Sequence, residues 1–223
     1  MITTKNKTKI MQIVNVFETG NPQGKYDSIT ILPDGKNNTL QITYGRSQTT
    51  EQGNLKALIE LYIKKGGVYS AELTVYLAKI GVTPLTGDEK FKKLLKSAGG
   101  DPIMINAQDE FFDTVYYEPA LHFFNGYQFT LPLSLLVIYD SYIHSGSVPD
   151  FLRNKFSESP PSKGEDEKKW IEAYVKARHY WLATNKKKVL QKTIYRTQCF
   201  LDQIKSENWD LVKPVTVLGI TIV

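Results

Sequence analysis

The amino-acid sequence predicts an α+β fold that is predominantly helical, with one small β-hairpin near the N-terminus. Apolar residues recur every three or four positions over residues 5–18 and over most of the chain after residue 53, whereas apolar and polar residues alternate over residues 25–32 and 39–45. The first period is that of an amphipathic helix and the second that of a half-buried strand. With 223 residues and 41% hydrophobic composition, the chain is long enough for one domain with a substantial core.

The first predicted helix places Ile10, Ile13, Val14 and Phe17 on one face, because spacings of three and four residues match the helical repeat. The sequence Thr-Gly-Asn-Pro follows, and its glycine and proline are typical of positions just beyond a helix. Glu18 therefore lies at the C-terminal end of this helix.

A β-hairpin, or a small sheet, is predicted next. Its two strands are separated by PDGKNN at residues 33–38, in which Pro-Asp-Gly and Asn-Asn favour turns. Asp34 is therefore placed at the bend. The helical pattern then returns with Asn54 as a candidate N-cap.

The rest of the chain is mainly helical, with short breaks rich in glycine, proline and serine. The clearest break is SESPPSKGED at residues 157–166, and the last ten residues have the pattern of a second short hairpin. The predicted helices after the hairpin cover residues 54–65, 70–80, 88–98, 103–116, 131–144, 148–157, 165–183 and 188–206.

Composition excludes several classes of function. The net charge of +5 is mild, and the densest basic run, residues 186–188, is typical of a solvated helix end, so no nucleic-acid partner is expected. No apolar run approaches 18 residues, so no membrane span is expected. The three histidines lack metal-ligand spacing and the single cysteine, Cys199, lies in an apolar helical pattern, so we expect no metal site and an inert buried thiol.

A glutamate at the end of the first helix and an aspartate on the following hairpin form the arrangement found in lysozymes. In those enzymes a hairpin lobe and a helical lobe form opposite walls of a sugar-binding cleft. Glu18 and Asp34 occupy these two positions.

The sequence resembles the glycoside hydrolase family 46 chitosanases, members of the lysozyme-like superfamily, over nearly the whole chain. The N-terminal part has Phe17-Glu18, Tyr26 and the sequence DGKNNT at residues 34–39 in the order of the family pattern. Further blocks that resemble the family are GN at residues 53–54, AQDEFFDTVYYEPA at 107–120, YDSYIHSG at 139–146, GEDEKKWIEAYVKAR at 164–178, Arg196 and NWDLVKP at 208–214.

The resemblance implies a role for each matching residue. Glu18 would be the general acid that protonates the glycosidic oxygen, Asp34 the general base that activates water on the opposite face of the sugar, and Thr39 would help to position that water. Asp166 and Arg196 would form a buried charge network behind the acid, or a structural ion pair. The family inverts the anomeric carbon and needs no cofactor, since two carboxyl groups suffice for the proton transfers.

The sequence departs from the family pattern at three places that bear on substrate binding. Lys36 replaces an arginine and keeps only the charge, Asn37 and Asn38 replace Gly-Tyr, and Asn54 replaces an acidic residue that contacts an amino group of the sugar. An amide at residue 54 still hydrogen-bonds a sugar, but it lacks the attraction of a carboxylate for glucosamine ammonium groups. Tyr26 is compatible with hairpin packing or with a sugar contact.

These observations predict an inverting endo-glycosidase that hydrolyses β-1,4 linkages of a glucosamine polysaccharide, with chitosan as the leading substrate. A lysozyme-type peptidoglycan hydrolase and a non-catalytic carbohydrate-binding relative stay open as alternatives. We expect a monomer with a single catalytic domain, divided into a minor lobe at roughly residues 20–100 and a major helical lobe of residues 1–19 and 101–223. We also expect an extracellular protein, although the N-terminus has the pattern of a helix rather than of a signal peptide, so that an export signal has been removed or export uses another route.

Overall fold

The computed structural model describes residues 2–46 and 48–223. The chain divides into two compact units: Met1–Gln23 with Val115–Val223, called here the helical unit, and Gly24–Thr114, called the sheet unit. The predominantly helical α+β class expected from the sequence is confirmed. The lobe boundaries near residues 20 and 100 stay a prediction.

The elements are numbered in chain order through both units. The helices are α1 (Thr4–Thr19), α2 (Leu55–Lys64), α3 (Ser70–Thr74), α4 (Glu89–Ala98), α5 (Pro102–Phe112), α6 (Glu118–Gly126), α7 (Pro132–Ser145), α8 (Asp150–Arg153), α9 (Glu167–Ala183), α10 (Lys188–Gln191) and α11 (Ile194–Lys205). The strands are β1 (Ile29–Leu32), β2 (Gln41–Tyr44), β3 (Thr49–Thr50), β4 (Val215–Val217) and β5 (Ile220–Ile222). Short 3₁₀ turns cover Lys36–Asn38 and Pro161–Lys163, and a π-helical turn covers Asp113–Tyr117.

Helix α7 is the centre of the helical unit. Residues 133–141 of α7 are all buried, and the helix packs against α1, α6, α9 and α11. A helix that is apolar on every face is stable in water only when its neighbours cover it. The predicted apolar face of α1 is part of this core, since Ile10, Ile13 and Val14 have no exposed surface.

The sheet unit contains the predicted hairpin, extended to three antiparallel strands in the order β1-β2-β3. The register pairs Ile29 with Tyr44 and Leu32 with Gln41, and every residue of the central strand β2 is buried. Residues 33–40 connect β1 to β2, so Asp34 lies in the connection as predicted. The second predicted hairpin is present in the helical unit as β4 and β5.

Several predicted helix boundaries were wrong. Helix α6 was not predicted, although Pro119 lies in its first turn, where a proline costs no hydrogen bond. The predicted helix at 148–157 is helical only as far as Arg153, whose guanidinium donates to the carbonyl oxygens of Phe156 and Glu158. The predicted helix at 70–80 ends at Thr74.

The predicted helix at 188–206 is interrupted between α10 and α11. Thr193 lies at the interruption, and its hydroxyl donates to the carbonyl oxygen of Leu190 at 2.7 Å. Such local bonds from threonine compete with the helical ladder.

The connection between β1 and β2 requires two residues with left-handed backbone conformation. Asn37 has φ 58° and ψ 33°, and Asn38 has φ 60°. Asparagine tolerates this region better than any residue except glycine, because its short amide bonds the local backbone. The Asn-Asn pair that departs from the family pattern is therefore compatible with the turn.

We expect Asn37→Val to lower the free energy of unfolding by about 1–2 kcal/mol, because a β-branched side chain disfavours the left-handed region. Asn37→Gly is the matched control, and it should leave stability nearly unchanged. Urea unfolding of the two variants measures the difference. Equal stabilities would show that this backbone conformation does not constrain residue 37.

Candidate active site

Glu18 is the penultimate residue of α1, and 12% of its side chain is exposed. The helix ends here because Gly20 adopts φ 64° and donates its N–H to the carbonyl oxygen of Val16. Arg196 of α11 donates from Nη2 to Oε1 of Glu18 at 2.5 Å. The contact between these two residues that the sequence predicted is therefore present.

A buried carboxylate completes a charge network behind Glu18. Asp140 of α7 has no exposed surface, and its two oxygens accept from Nη1 of Arg196 at 2.7 Å and from Nη1 of Arg178 at 2.8 Å. Burial opposes ionisation of Asp140, but the two guanidinium groups outweigh burial and hold the pKa of Asp140 below its usual value. Burial also opposes the charged form of Arg196. The negative charges of Glu18 and Asp140 outweigh burial and raise the pKa of Arg196 above its usual value.

Aromatic rings fix the position of the Arg196 guanidinium. Its Cζ lies 5.3 Å from the ring centroid of Phe17 and 5.8 Å from that of Tyr195. The hydroxyl of Tyr195 donates to the carbonyl oxygen of Phe17 at 2.8 Å, which ties α11 to the last turn of α1. Ring faces attract a cation, so these contacts help to hold the guanidinium beside Glu18.

The predicted network role of Asp166 was wrong. Asp166 is exposed and is the N-cap of α9, where its carboxylate accepts from the backbone N–H of Lys169 at 2.9 Å. Asp140 holds the position that was assigned to Asp166. One feature of the sequence could have identified Asp140: it is an aspartate inside the apolar predicted helix 131–144. A carboxylate buried in such a helix requires a cationic partner.

The connection between β1 and β2 holds the other predicted catalytic residues in the sheet unit. Asp34 and Thr39 are both exposed. Nε2 of Gln41 donates to Oδ1 of Asp34 at 3.0 Å, and Nε2 of Gln52 donates to Oγ1 of Thr39 at 3.0 Å. Sequence reasoning identified neither glutamine, because nothing in their spacing indicates that they point at the same loop.

The predicted substrate-binding residues lie in three parts of the sheet unit. Tyr26 is half-buried and donates its hydroxyl to Oδ1 of Asp109 at 2.8 Å; burial and this bond raise the pKa of Tyr26 to about 12. Lys36 is exposed in the connection between β1 and β2. Asn54 precedes α2 and is also exposed, but its side chain makes no capping hydrogen bond.

Among residues 2–46 and 48–223, no group of three or more His, Cys, Asp and Glu side chains could hold a metal ion. Within the same residues, no helix is both long enough and apolar enough to cross a membrane.

Cys199 is buried with a free thiol, as predicted, and burial raises its pKa to about 12.

Known proteins match this chain along nearly its whole length. The sequence model of glycosyl hydrolase family 46 matches residues 12–215. A chitosanase of Bacillus subtilis (strain 168) is 26% identical over 230 residues, which covers 95% of this chain and 81% of the relative. The crystal structure of native chitosanase from Bacillus subtilis MY002 has a TM-score of 0.82 at 24% identity and covers 100% of both chains. A GH46 chitosanase of Gynuella sunshinyii in complex with chitotetraose has a TM-score of 0.82 at 21% identity and covers 100% of this chain and 98% of the other.

The fold and these matches define the class of the protein as a glycoside hydrolase with the predicted lysozyme-like fold. Because the family model spans most of the sequence, the chain belongs to glycoside hydrolase family 46. The resemblance noted in the sequence blocks is confirmed.

His144, one turn after Asp140 on α7, makes the stability of the helical unit sensitive to acid. Burial, together with the positive charges of Arg178 and Arg196, lowers the pKa of His144 to about 4, against 6.5 for an ordinary histidine. As pH falls from 6.5 towards 4, the unfolded chain binds a proton at this residue while the folded chain does not. Stability contributed by neutral His144 is therefore lost in this window.

We expect the wild-type protein to lose about 1–2 kcal/mol of unfolding free energy at this residue between pH 7 and pH 5. His144→Asn should reduce that loss, as measured by urea unfolding at a series of pH values. The exposed His122 provides the control substitution, His122→Asn. A wild-type slope in the His144→Asn variant would show that His144 does not cause the effect.

Proposed function

We propose that the protein is an inverting endo-glycosidase that hydrolyses β-1,4 linkages of chitosan, with Glu18 as general acid and Asp34 as general base. The observation that carries the proposal is the orientation of Glu18 by Arg196, in a chain that belongs to glycoside hydrolase family 46. Two matches support the substrate. The Bacillus subtilis relative is a chitosanase, and a glutamate-to-alanine mutant of the MY002 chitosanase was crystallised with 6 GlcN.

The proposed reaction needs two proton transfers. Glu18 gives its proton to the glycosidic oxygen as the bond from that oxygen to C1 breaks, and the bonding electrons stay on the oxygen. Water forms the new bond to C1 from the opposite face and gives a proton to Asp34. Attack from that face inverts the anomeric carbon. Inversion requires carboxyl groups roughly 6.5–9.5 Å apart, so that a water molecule fits between base and sugar.

Arg196 has a defined part in this mechanism. Once Glu18 has lost its proton, the carboxylate that forms is bound by a guanidinium that is already in place and already held by Asp140. A preorganised partner stabilises charge that develops during the reaction without further rearrangement. No metal or organic cofactor is needed for this chemistry.

Charge at the substrate-binding positions favours a second candidate, a peptidoglycan hydrolase. The net charge of +5 and an exposed Asn54 in place of a carboxylate both reduce the attraction for a polycation. Incubation with soluble chitosan and with purified cell wall, followed by measurement of reducing ends, separates the two. Binding of either polymer without cleavage would indicate the non-catalytic alternative.

We further propose that the protein acts outside the cell as a monomer. The proposed substrate supports an extracellular location, since an enzyme that cleaves a polymeric polysaccharide acts on it outside the cytoplasm. Light scattering of the purified protein tests the monomer.

We expect Glu18→Gln to lower the rate of chitosan hydrolysis at least about 100-fold, because the amide cannot donate the required proton. The amide keeps the size of the side chain, so the variant should still fold, as circular dichroism would show. Glu60→Gln, an exposed change of the same chemistry, is the control. Wild-type rates in the Glu18→Gln variant would rule out Glu18 as the acid, and NMR of the first product anomer tests inversion.

We expect Asn54→Asp to raise kcat/KM on chitosan by about 2–5-fold at low salt, since an exposed ion pair contributes up to about 1 kcal/mol. High salt should remove the gain by screening. Asn125→Asp, which is exposed and changes the net charge equally, should give none. An equal gain from both variants would mean that total charge, rather than residue 54, attracts the substrate.

A further inference from the structure

We propose that Gln41 and Gln52 are positioning residues that fix the orientation of the attacking water. Their amides hold Asp34 and Thr39, and both hydrogen bonds run from an amide nitrogen to an oxygen of the loop. The inference deepens the proposed function, because it rests on Asp34 as the general base.

Backbone N–H groups determine which way each amide faces. Oε1 of Gln41 accepts from the backbone N–H of Gln52 at 3.0 Å, and Oε1 of Gln52 accepts from the backbone N–H of Lys36 at 2.7 Å. A backbone N–H can only donate, so the oxygen end of each amide must face it. The nitrogen ends must then face Asp34 and Thr39.

The hydrogen bond from Gln41 distinguishes the two carboxylate oxygens of Asp34. Its side chain lies on the buried strand β2 and is 5% exposed, so it binds Oδ1 from the interior of the unit. Oδ1 of Asp34 is thereby anchored, and Oδ2 is the oxygen left to take a proton.

Gln52 makes the hydroxyl of Thr39 an acceptor for water. Oγ1 donates its proton to the carbonyl oxygen of Lys36 at 2.8 Å and accepts from Nε2 of Gln52 at 3.0 Å. A threonine hydroxyl has one proton and two lone pairs, so a single lone pair remains. Thr39 can therefore receive a hydrogen bond from water but cannot donate one.

The two restrictions together orient the nucleophile. A water between these residues donates one hydrogen to Thr39 and the other to Asp34. Its lone pairs then point away from both groups, towards the carbon that it attacks. As the new bond from oxygen to C1 forms, the hydrogen directed at Asp34 transfers to the carboxylate.

The loop is packed closely enough to hold this arrangement. A Cβ at Gly35 would lie 2.7 Å from the carbonyl oxygen and from Oγ1 of Thr39, and 2.8 Å from Nε2 of Gln52. The segment that carries Gln52 is also anchored, because the buried carboxylate of Glu51 accepts from the backbone N–H groups of Ile42 and Leu85. Gln41 supports the loop from a buried position, and Gln52 supports it from an exposed position through hydrogen bonds at both ends of its amide.

The test is a pair of substitutions, Gln41→Met and Gln52→Met, which keep side-chain length and remove the amide. Each should lower kcat on chitosan roughly 5–30-fold with little change in KM, since one orienting hydrogen bond is lost. Gln48→Met, whose amide donates to the carbonyl oxygen of Gly45 outside the loop, is the matched control and should leave kcat and KM unchanged.

Asp34→Asn separates failure of the inference from failure of the proposed function. If Asp34→Asn abolishes hydrolysis while Gln41→Met and Gln52→Met leave kcat unchanged, the inference is wrong and the proposed base stands. If Asp34→Asn retains activity, the proposed function is wrong. A lower kcat that comes with a lower melting temperature and an equally changed KM would assign the glutamines a purely structural role and overturn the inference.

Discussion

The guanidinium group of Arg196 binds two carboxylates that come from different helices, and the geometry of the candidate acid depends on it. Asp140 contributes from the central helix α7 and Glu18 from the end of α1. Replacing a buried ion pair with packed apolar side chains is often neutral or stabilising, so such a pair is a poor device for stability alone. We infer that its value here is orientation, because the two rings beside Arg196 and the carboxylate of Asp140 hold the guanidinium where it binds Glu18. Loss of Asp140 would leave the buried Arg178 without its ion-pair partner and Arg196 with Glu18 alone.

The loop that carries Asp34 is held by hydrogen bonds of side-chain amides and, among the described residues, not by ion pairs. Amides and backbone groups of the neighbouring segments satisfy each other's hydrogen bonds there, and the buried carboxylate of Glu51 anchors the segment that carries Gln52. Two left-handed asparagines let the chain reverse within the 3₁₀ turn Lys36–Asn38, and Gly35 allows the close approach of Thr39. The acid is therefore held by a buried network of ion pairs and the base by directional hydrogen bonds from neutral amides. These arrangements suit their proposed tasks, since the acid must release a proton beside a fixed cation and the base must face water.

Sequence periodicity predicted the fold class, the first helix and the early hairpin, because these elements have strong local signals. Helix α6 escaped prediction because its proline was not recognised as a first-turn residue. The break at Thr193 depends on a single hydroxyl bonding locally, which the apolar period does not reveal. The candidate acid, base and water-positioning residue followed from short motifs in a family pattern. Arg196 followed from the same pattern, but the other partners did not. Asp140, Gln41 and Gln52 act through contacts between residues that are distant in the chain or that face a loop by backbone geometry alone. Asp166 was misassigned for the same reason: an aspartate before a helix serves as an N-cap, and only the packing of α7 identifies the aspartate that meets Arg196.

The buried thiol of Cys199 has a consequence for handling and for life in an oxidising environment. Thiol–disulfide exchange proceeds through the thiolate, and a pKa near 12 leaves almost none of that species at neutral pH. The thiol of Cys199 in the folded chain is therefore a poor nucleophile towards other proteins and is not readily oxidised. The folded protein should therefore be equally stable with and without a reductant. With respect to disulfide formation in air, it should behave like a protein that has no cysteine.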